Sequence, residues 1–390
     1  MGFTKWFKKN FQATIWEVIV AIALVITFFV LRFLIHEYST IFIILGFIVG
    51  TWLAFRPSEW AVEGLNSGAK YVGLSEYIAG LLSSLASNLP EAVIAILLII
   101  SGEIEIAVIT ILAAAGFNTI ILGLSILIAT IRKGSIDVPE DLEKKESAII
   151  RWGIVALSMT VIYGLVEFTQ VSNWAQTEIA RPIAALLALS YIMYLVYVIF
   201  VKEPLKNTVT DALDEDEIPE EEKSEVHKKE EEHDISKPHL SITMTIILLI
   251  LGFVGIFGAG ETLTFSVEAL IEEATMPKEF VALILGAAGA VPEHGIALLS
   301  AAREDVEVAI GNALGGILQS SLLIFGILGM IVTISFSPFM ILQLAAIAGV
   351  LWFVKRCIHD RKFDWFEGTM IILLQILIFL ILIFDVLLTS

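Results

Sequence analysis

Two stretches of the chain decide its fold: residues 86–97 read ASNLPEAVIAIL, and residues 288–299 read AGAVPEHGIALL. Each stretch contains a Pro-Glu pair within a long apolar run, and the pairs end in Glu91 and Glu293. These glutamates lie 202 residues apart, and the same offset aligns several flanking residues without gaps. Two acidic residues at equivalent places in apolar surroundings indicate an internal repeat with a shared buried site.

The composition predicts a membrane protein. Hydrophobic residues make up 57% of the 390 residues and charged residues 17%, whereas soluble proteins have about 45–50% and about 25%. The apolar residues form runs of roughly 20, the length of a membrane-spanning helix, rather than the short alternating strands of a membrane barrel. The lone Cys357 excludes an intrachain disulfide, and the net charge of −18 argues against a nucleic-acid partner.

The apolar runs predict an all-α polytopic protein with eleven crossings. The first run is expected to be a retained helix, since it has no clear cleavage site for a signal peptidase. The expected crossings are residues 13–34, 40–55, 72–100, 105–131, 149–168, 181–201, 240–261, 279–302, 306–333, 338–355 and 367–388.

Basic residues predict the orientation of these crossings. With the N-terminus in the cytoplasm, all but three of the 24 lysines and arginines fall on the cytoplasmic side, as the positive-inside rule requires. The exceptions are Arg32, Arg181 and Lys278. We therefore expect a multi-pass protein of a prokaryotic cell membrane, with a cytoplasmic N-terminus.

The repeat predicts an inverted architecture. Glu91 lies in the third crossing and Glu293 in the eighth, so the two helices run in opposite directions. Inverted repeats with interrupted helices are typical of secondary transporters that hold their substrate near the membrane midplane. The expected divisions are a leading helix (1–36), a first five-helix repeat (37–202), an acidic cytoplasmic linker (203–239) and a second five-helix repeat (240–390).

The two Pro-Glu sites have the chemistry of a cation site. An ionised carboxylate in hydrocarbon costs at least about 2.5 kcal/mol, and neither Glu91 nor Glu293 has a lysine or arginine within a helical turn. A proline inside a helix frees the carbonyl four residues earlier, here near Ala86 and Ala288. Carboxylates and carbonyls are the hard oxygen ligands that Ca²⁺ takes in sets of six to eight.

The same carboxylates suggest a coupling ion. Two neighbouring carboxylates in a low-dielectric cavity repel each other when both are ionised, so protons are expected to replace a departing metal. Mutually exclusive binding of Ca²⁺ and H⁺ is the requirement for antiport. A cation channel and a membrane enzyme are the rival classes, although no nucleophile–base pair supports an enzyme. We expect no enzymatic activity and no resident cofactor, and the expected partners are the two transported ions and the lipid bilayer.

The two Pro-Glu motifs resemble those of a known protein family. Ser87 to Glu91 and Gly289 to His294 resemble the two repeat motifs of the calcium/cation antiporter superfamily. Features similar to its proton/calcium branch are an Asn three residues before the first glutamate, a Glu-His pair in the second motif, and an Asn and a Gln on the later helices. The residues with these features are Asn88, Glu293-His294, Asn118 and Gln319.

Other positions bear on the choice between branches. The Pro before each glutamate resembles the sodium/calcium exchangers, but the small hydroxyl residues that those proteins use for Na⁺ are replaced by Ala114, Ala290 and Gly316. Their acidic residue in the second repeat is replaced by Ser320. The resemblance therefore favours Ca²⁺/H⁺ exchange, with Na⁺/Ca²⁺ exchange as the alternative.

The resemblance also implies roles for individual residues in a mechanism of alternating access. Glu91 and Glu293 are implied as the direct Ca²⁺ ligands and proton carriers, and carbonyls near Ser87 and Gly289 are implied to complete the shell, with those of Ala86 and Ala288. The implied supporting residues are Asn88, Asn118, Gln319, His294 and Ser320.

Overall fold

The protein is described by a computed structural model in which almost all of the described residues are helical. The described residues are 4, 7–8, 11, 13–34, 40–73, 82, 84–131, 133–138, 140–197, 240–274, 276–303 and 305–389. The acidic linker predicted at 203–239 lies outside these ranges, as does most of the N-terminal stretch before residue 13.

Within these ranges, the first half of the chain has a one-turn 3₁₀ helix at Trp174–Gln176. Its other elements are six α-helices and a short strand. They are α1 (Ile15–Leu34), α2 (Thr40–Tyr71), α3 (Leu89–Ile100), α4 (Ile104–Thr130), β1 (Ser135–Asp137), α5 (Glu140–Val171) and α6 (Arg181–Tyr197).

The second half has a similar order of elements, with a π-helical segment (Gln319–Ile324) inside its third long helix. The others are α7 (Ile242–Ala274), α8 (Lys278–Gly289), α9 (Val291–Ala302), α10 (Val306–Leu318), α11 (Phe325–Ile331), α12 (Pro338–Asp360), β2 (Lys362–Asp364) and α13 (Trp365–Thr389).

The helices fit a polytopic membrane protein. Within the described residues, eight helices are long and apolar enough to cross a bilayer, and the bent pair α8–α9 makes nine. The apolar helices α3 and α6 have 12 and 17 residues, which is shorter than the roughly 20 residues of a full span. The all-α class is confirmed, while the count of eleven crossings is not.

The two halves are inverted relative to each other where α2 packs on α7. A Cβ atom added to Gly50 would lie 2.6 Å from Leu263 Cγ, and one added to Gly64 would lie 2.8 Å from Leu249 Cγ. Partner numbers fall as residue numbers rise, so the helices are antiparallel. Because α7 begins 202 residues after α2, equivalent helices run in opposite directions, as the inverted repeat predicts.

Short backbone pairings join the halves at two places. Strand β1 pairs antiparallel with β2, with Ile136 opposite Phe363. A second pairing joins the equivalent loops of the opposite halves, because the amide of Ile179 donates to the carbonyl of Ile334 at 2.9 Å. Strand β1 follows α4 and β2 follows α12, whereas Ile179 follows α5 and Ile334 follows α11. Because α10–α11 is the repeat equivalent of α4, and α12 that of α5, the two pairings are equivalent.

The motif prolines lie at helix starts rather than inside continuous helices. Pro90 lies in the first turn of α3 and Pro292 in the first turn of α9, where the missing N–H has no helical partner to lose. Helices α8 and α9 meet at an angle of 51°. The sequence analysis places these prolines inside helices, whereas the structure has helix breaks just before them, at Asn88 and Ala290.

Candidate functional site

Glu91 is fully buried at the start of α3. Its Oε2 atom accepts a hydrogen bond of 2.6 Å from the hydroxyl of Ser320, which lies in the π-helical segment of the other half. Its Oε1 atom is buried and has no hydrogen-bond partner among the described residues. One carboxylate oxygen is therefore held and the other is available to a ligand.

Glu293 occupies the equivalent place in α9 and is equally buried. Its Oε1 atom accepts from the hydroxyl of Ser87 at 3.2 Å, and its Oε2 atom accepts from the amide of Asn118 at 2.6 Å. Its backbone carbonyl also accepts from the side-chain amide of Asn312 at 2.9 Å. Both carboxylate oxygens of Glu293 are thus oriented by donors from the first half.

These contacts exchange between the halves in a two-fold pattern. Asn118 and Ser320 are 202 residues apart, and each donates to the glutamate of the opposite half. Gly289, equivalent to Ser87, lies against Glu91, since a Cβ atom on Gly289 would be 3.0 Å from Glu91 Cγ. The inverted repeat therefore brings the two Pro-Glu motifs into one buried site.

A chain of amide and hydroxyl groups borders this site. The side-chain amide of Asn88 donates to the side-chain oxygen of Gln319, whose own amide donates to the hydroxyl of Ser84 at 2.7 Å. The Asn88 amide also lies 3.3 Å from the carbonyl of Ser84. This chain joins the break before α3 to the π-helical segment, so the supporting residues predicted from the two halves do meet.

Three buried oxygens in the site have no hydrogen-bond donor among the described residues: Asn88 Oδ1, Glu91 Oε1 and Asn118 Oδ1. A buried acceptor without a partner is costly, so such a group is expected to meet a ligand, an ion or water. Oxygens of this kind are the ligands that a hard cation takes. With the two carboxylates, the amide oxygens of Asn88 and Asn118 could serve as ligands of this kind.

The described residues contain no group of three or more His, Cys, Asp and Glu side chains arranged to hold a metal. A cation held by Glu91 and Glu293 would therefore take its other ligands from amides, hydroxyls, backbone carbonyls or water. Such a set suits a hard divalent cation better than a transition metal that prefers imidazole or thiolate.

Gly316 lies directly against the contact between Asn118 and Glu293. A Cβ atom at this position would collide with both Glu293 Oε2 and the Asn118 side chain. The lack of a side chain at Gly316 therefore allows Asn118 to approach Glu293 directly.

Some predicted residues differ from expectation. His294 Nε2 is buried and has no hydrogen-bond partner in the described part of the chain. The centre of its ring lies 6.5 Å from that of Phe117. The sequence analysis names Asn118, Gln319 and Ser320 as supporting residues. By its contacts, the counterpart of Asn118 in the second half is Ser320, which lies 202 residues later.

The backbone residues predicted as ligands lie beside the two helix breaks. Ala86 and Ser87 precede the break at Asn88, while Ala288 and Gly289 precede the break at Ala290. All four are buried.

The fold is similar to those of several cation exchangers of known structure. The H⁺/Ca²⁺ exchanger CAX has a TM-score of 0.68 at 14% identity, covering 96% of this chain and 89% of that one. YfkE has a TM-score of 0.62 at 15% identity, covering 93% and 97%. The sodium-calcium exchanger NCX_Mj has a TM-score of 0.55 at 17% identity, covering 87% and 98%.

Sequence comparison agrees with the fold. A vacuolar calcium ion transporter of Schizosaccharomyces pombe is 22% identical over 311 residues, which cover 78% of this chain and 71% of that protein. The family described as sodium/calcium exchanger protein matches residues 38–200 and 244–384. Because these segments cover most of the 390 residues, the chain belongs to the sodium/calcium exchanger protein family.

Proposed function

We propose that this protein is a secondary antiporter that exchanges Ca²⁺, or a similar divalent cation, for H⁺ by alternating access. The observation that carries the proposal is the pair of buried carboxylates, Glu91 and Glu293, each held by a donor from the opposite half. A site made by both halves is one whose exposure changes when the halves move against each other.

Calcium is the cargo that best fits the ligands. Two carboxylates neutralise one divalent charge, and Glu91 Oε1, Asn88 Oδ1 and Asn118 Oδ1 are buried acceptors without donors in the described ranges. We assign the remaining positions of the shell to carbonyls of Ala86, Ser87, Ala288 and Gly289. The name of the S. pombe relative, a calcium ion transporter, supports the same cargo.

Protons are the counter-ion that we favour over sodium. Na⁺ binding needs extra oxygen ligands, and the positions at which the resemblance places hydroxyls carry Ala114, Ala290 and Gly316. A side chain at Gly316 would collide with Glu293 and Asn118. The carboxylates themselves supply proton acceptors when the metal leaves. Gln319, Ser320, Asn88 and Asn118 support them through hydrogen bonds, and we place His294 beside them as a further support.

The orientation that we propose keeps the N-terminus and the acidic linker in the cytoplasm, in a prokaryotic cell membrane. The excess of lysine and arginine on that side supports it.

The test is ⁴⁵Ca²⁺ uptake into liposomes that contain the purified protein, driven by an imposed pH gradient or by a sodium gradient. We expect uptake driven by the pH gradient and lost in both Glu91→Gln and Glu293→Gln. Glu105→Gln makes the same chemical change at an exposed position of α4 and should transport like the wild type.

Other outcomes separate the alternatives. Uptake that follows the sodium gradient alone would replace H⁺ by Na⁺ as the counter-ion. Calcium flux that depends on neither gradient would make the protein a channel, and wild-type activity in both glutamine variants would refute the site.

A further inference from the structure

A second buried polar pair lies outside the cation site. Gln343 of α12 and Gln375 of α13 are almost fully buried and exchange two hydrogen bonds. The Gln343 amide donates to Gln375 Oε1 at 3.2 Å, and the Gln375 amide donates to Gln343 Oε1 at 2.9 Å. Because both bonds are directional, the pair fixes α12 and α13 in rotation and in height relative to each other.

The pair lies against the helix that supplies Asn118. A Cβ atom on Gly116 of α4 would be 2.6 Å from Gln375 Nε2 and 2.9 Å from Gln343 Nε2. It would also be 2.7 Å from Phe379 Cζ. Helix α4 therefore rests directly on the amide pair, with its backbone as the contact surface.

The next two residues of α4 continue from this contact to the cation site. The ring of Phe117 packs on Phe379 at 4.9 Å and faces His294 at 6.5 Å. Asn118 then donates to Glu293 Oε2 at 2.6 Å. Three consecutive residues thus connect the amide pair to one of the two carboxylates.

We propose that Gln343 and Gln375 are positioning residues that hold α4 at the height and rotation at which Asn118 meets Glu293. This inference rests on the proposed cation site. Side chains of glutamine are expensive in an apolar helix unless they are paired, and here the pairing produces a flat, rigid surface. Gly116 fits that surface, so a shift of α4 would either lose the contact or force backbone atoms into the amides.

The contact between α4 and α13 continues further along the same face of α4. Gly123 of α4 and Gly368 of α13 approach so closely that a Cβ on either would lie 2.7 Å from the carbonyl oxygen of the other. Two glycines seven residues apart lie on one face of α4, and small residues permit such close approach in membrane helices. The amide pair is the polar, directional part of an otherwise apolar interface.

The test compares Ca²⁺ concentration dependence and pH profile of uptake in three variants. Gln343→Leu with Gln375→Leu removes both amides together, so no unpaired group is left. Gly116→Ala pushes α4 off an intact pair. Gly349→Ala is the matched control, because a Cβ there would meet nothing within 4 Å.

We expect the double variant and Gly116→Ala each to raise the KM for Ca²⁺ by about tenfold, as losses of outer supporting residues do at metal sites. We expect the pH profile of uptake to shift in the same two variants, while Gly349→Ala matches the wild type in both KM and pH profile. A double variant with wild-type KM and pH profile would overturn the inference. If that variant does not fold, a wild-type KM in Gly116→Ala overturns it equally.

The two proposals fail differently. If wild-type protein moves Ca²⁺ and Glu293→Gln does not, the cation site holds, and the amide pair is judged by KM alone. If wild type and Glu293→Gln transport alike, the site itself is wrong, whatever the amide variants do.

Discussion

Glu91 and Glu293 are equivalent by sequence but are held differently. Both oxygens of Glu293 accept hydrogen bonds, from Ser87 and Asn118, and its carbonyl accepts from Asn312. Glu91 has a described donor, Ser320, on one oxygen and none on the other. One half of the proposed site is therefore anchored by hydrogen bonds, while the other half keeps one carboxylate oxygen without a described donor, and we propose that this oxygen meets the arriving ion.

The helices that supply the donors differ in the same way. Asn118 lies in α4, a regular helix of 27 residues, whereas Ser320 lies in a π-helical segment between α10 and α11. π-Helical turns are rare and often occur at functional sites. We infer that the anchored glutamate faces the regular helix and the freer glutamate faces the irregular one.

Among substitutions near the two glutamates, the largest loss of Ca²⁺ affinity is expected from Gly316→Ala. The added methyl group collides with Glu293 Oε2 and the Asn118 side chain, so the anchored half must open. We expect Ca²⁺ affinity to fall by about 100-fold, the upper end for disturbed supporting residues. Isothermal titration calorimetry measures the Ca²⁺ affinity, with Gly349→Ala as the control. An affinity of Gly316→Ala within threefold of the wild type, a margin of about 0.65 kcal/mol, would contradict the close approach of Gly316 to Glu293 and Asn118.

Asn118→Ala and Ser320→Ala sharpen the contrast. Each removes one charge-assisted hydrogen bond to a glutamate, worth about 1.5–3 kcal/mol. Asn118 also offers its free Oδ1 as a ligand, which Ser320 does not. Loss of Ca²⁺ affinity should therefore be larger for Asn118→Ala, by about tenfold more than for Ser320→Ala. Equal losses would argue that the halves are functionally alike.

The smallest effect is expected away from both glutamates. Arg32 of α1 and Glu261 of α7 form an ion pair at 2.9 Å with both side chains partly exposed. Such pairs contribute at most about 1 kcal/mol. Arg32→Ala should leave transport unchanged and lower the unfolding temperature by a few degrees at most, as measured in detergent. A loss of transport would extend the functional site to α1.

Hydropathy predicted helix positions well where helices stay in the apolar region. Helix α4 was expected at 105–131 and spans Ile104–Thr130. Helix α2 was expected at 40–55 but continues to Tyr71, because charged residues end an apolar run without ending a helix. Arg56 is tolerated there by bonds to Glu17 and Glu59 at 2.6 Å.

The site was predicted in part. Glu91 and Glu293 were detectable because charged residues stand out in apolar runs. Which donor meets which glutamate depends on how the inverted halves cross, and no local pattern contains that information. Gln343 and Gln375 were missed because each is a single polar residue in a different helix, and their meaning arises from the contact with Gly116.

Whether Glu91 and Glu293 share one ion is tested by the number of Ca²⁺ ions bound per chain, measured by equilibrium dialysis of the purified protein with ⁴⁵Ca²⁺. We expect one ion per chain, lost in Glu91→Gln and lost equally in Glu293→Gln, because the two halves share a single ion. Binding that survives either substitution, or two independent ions per chain, would contradict the shared site.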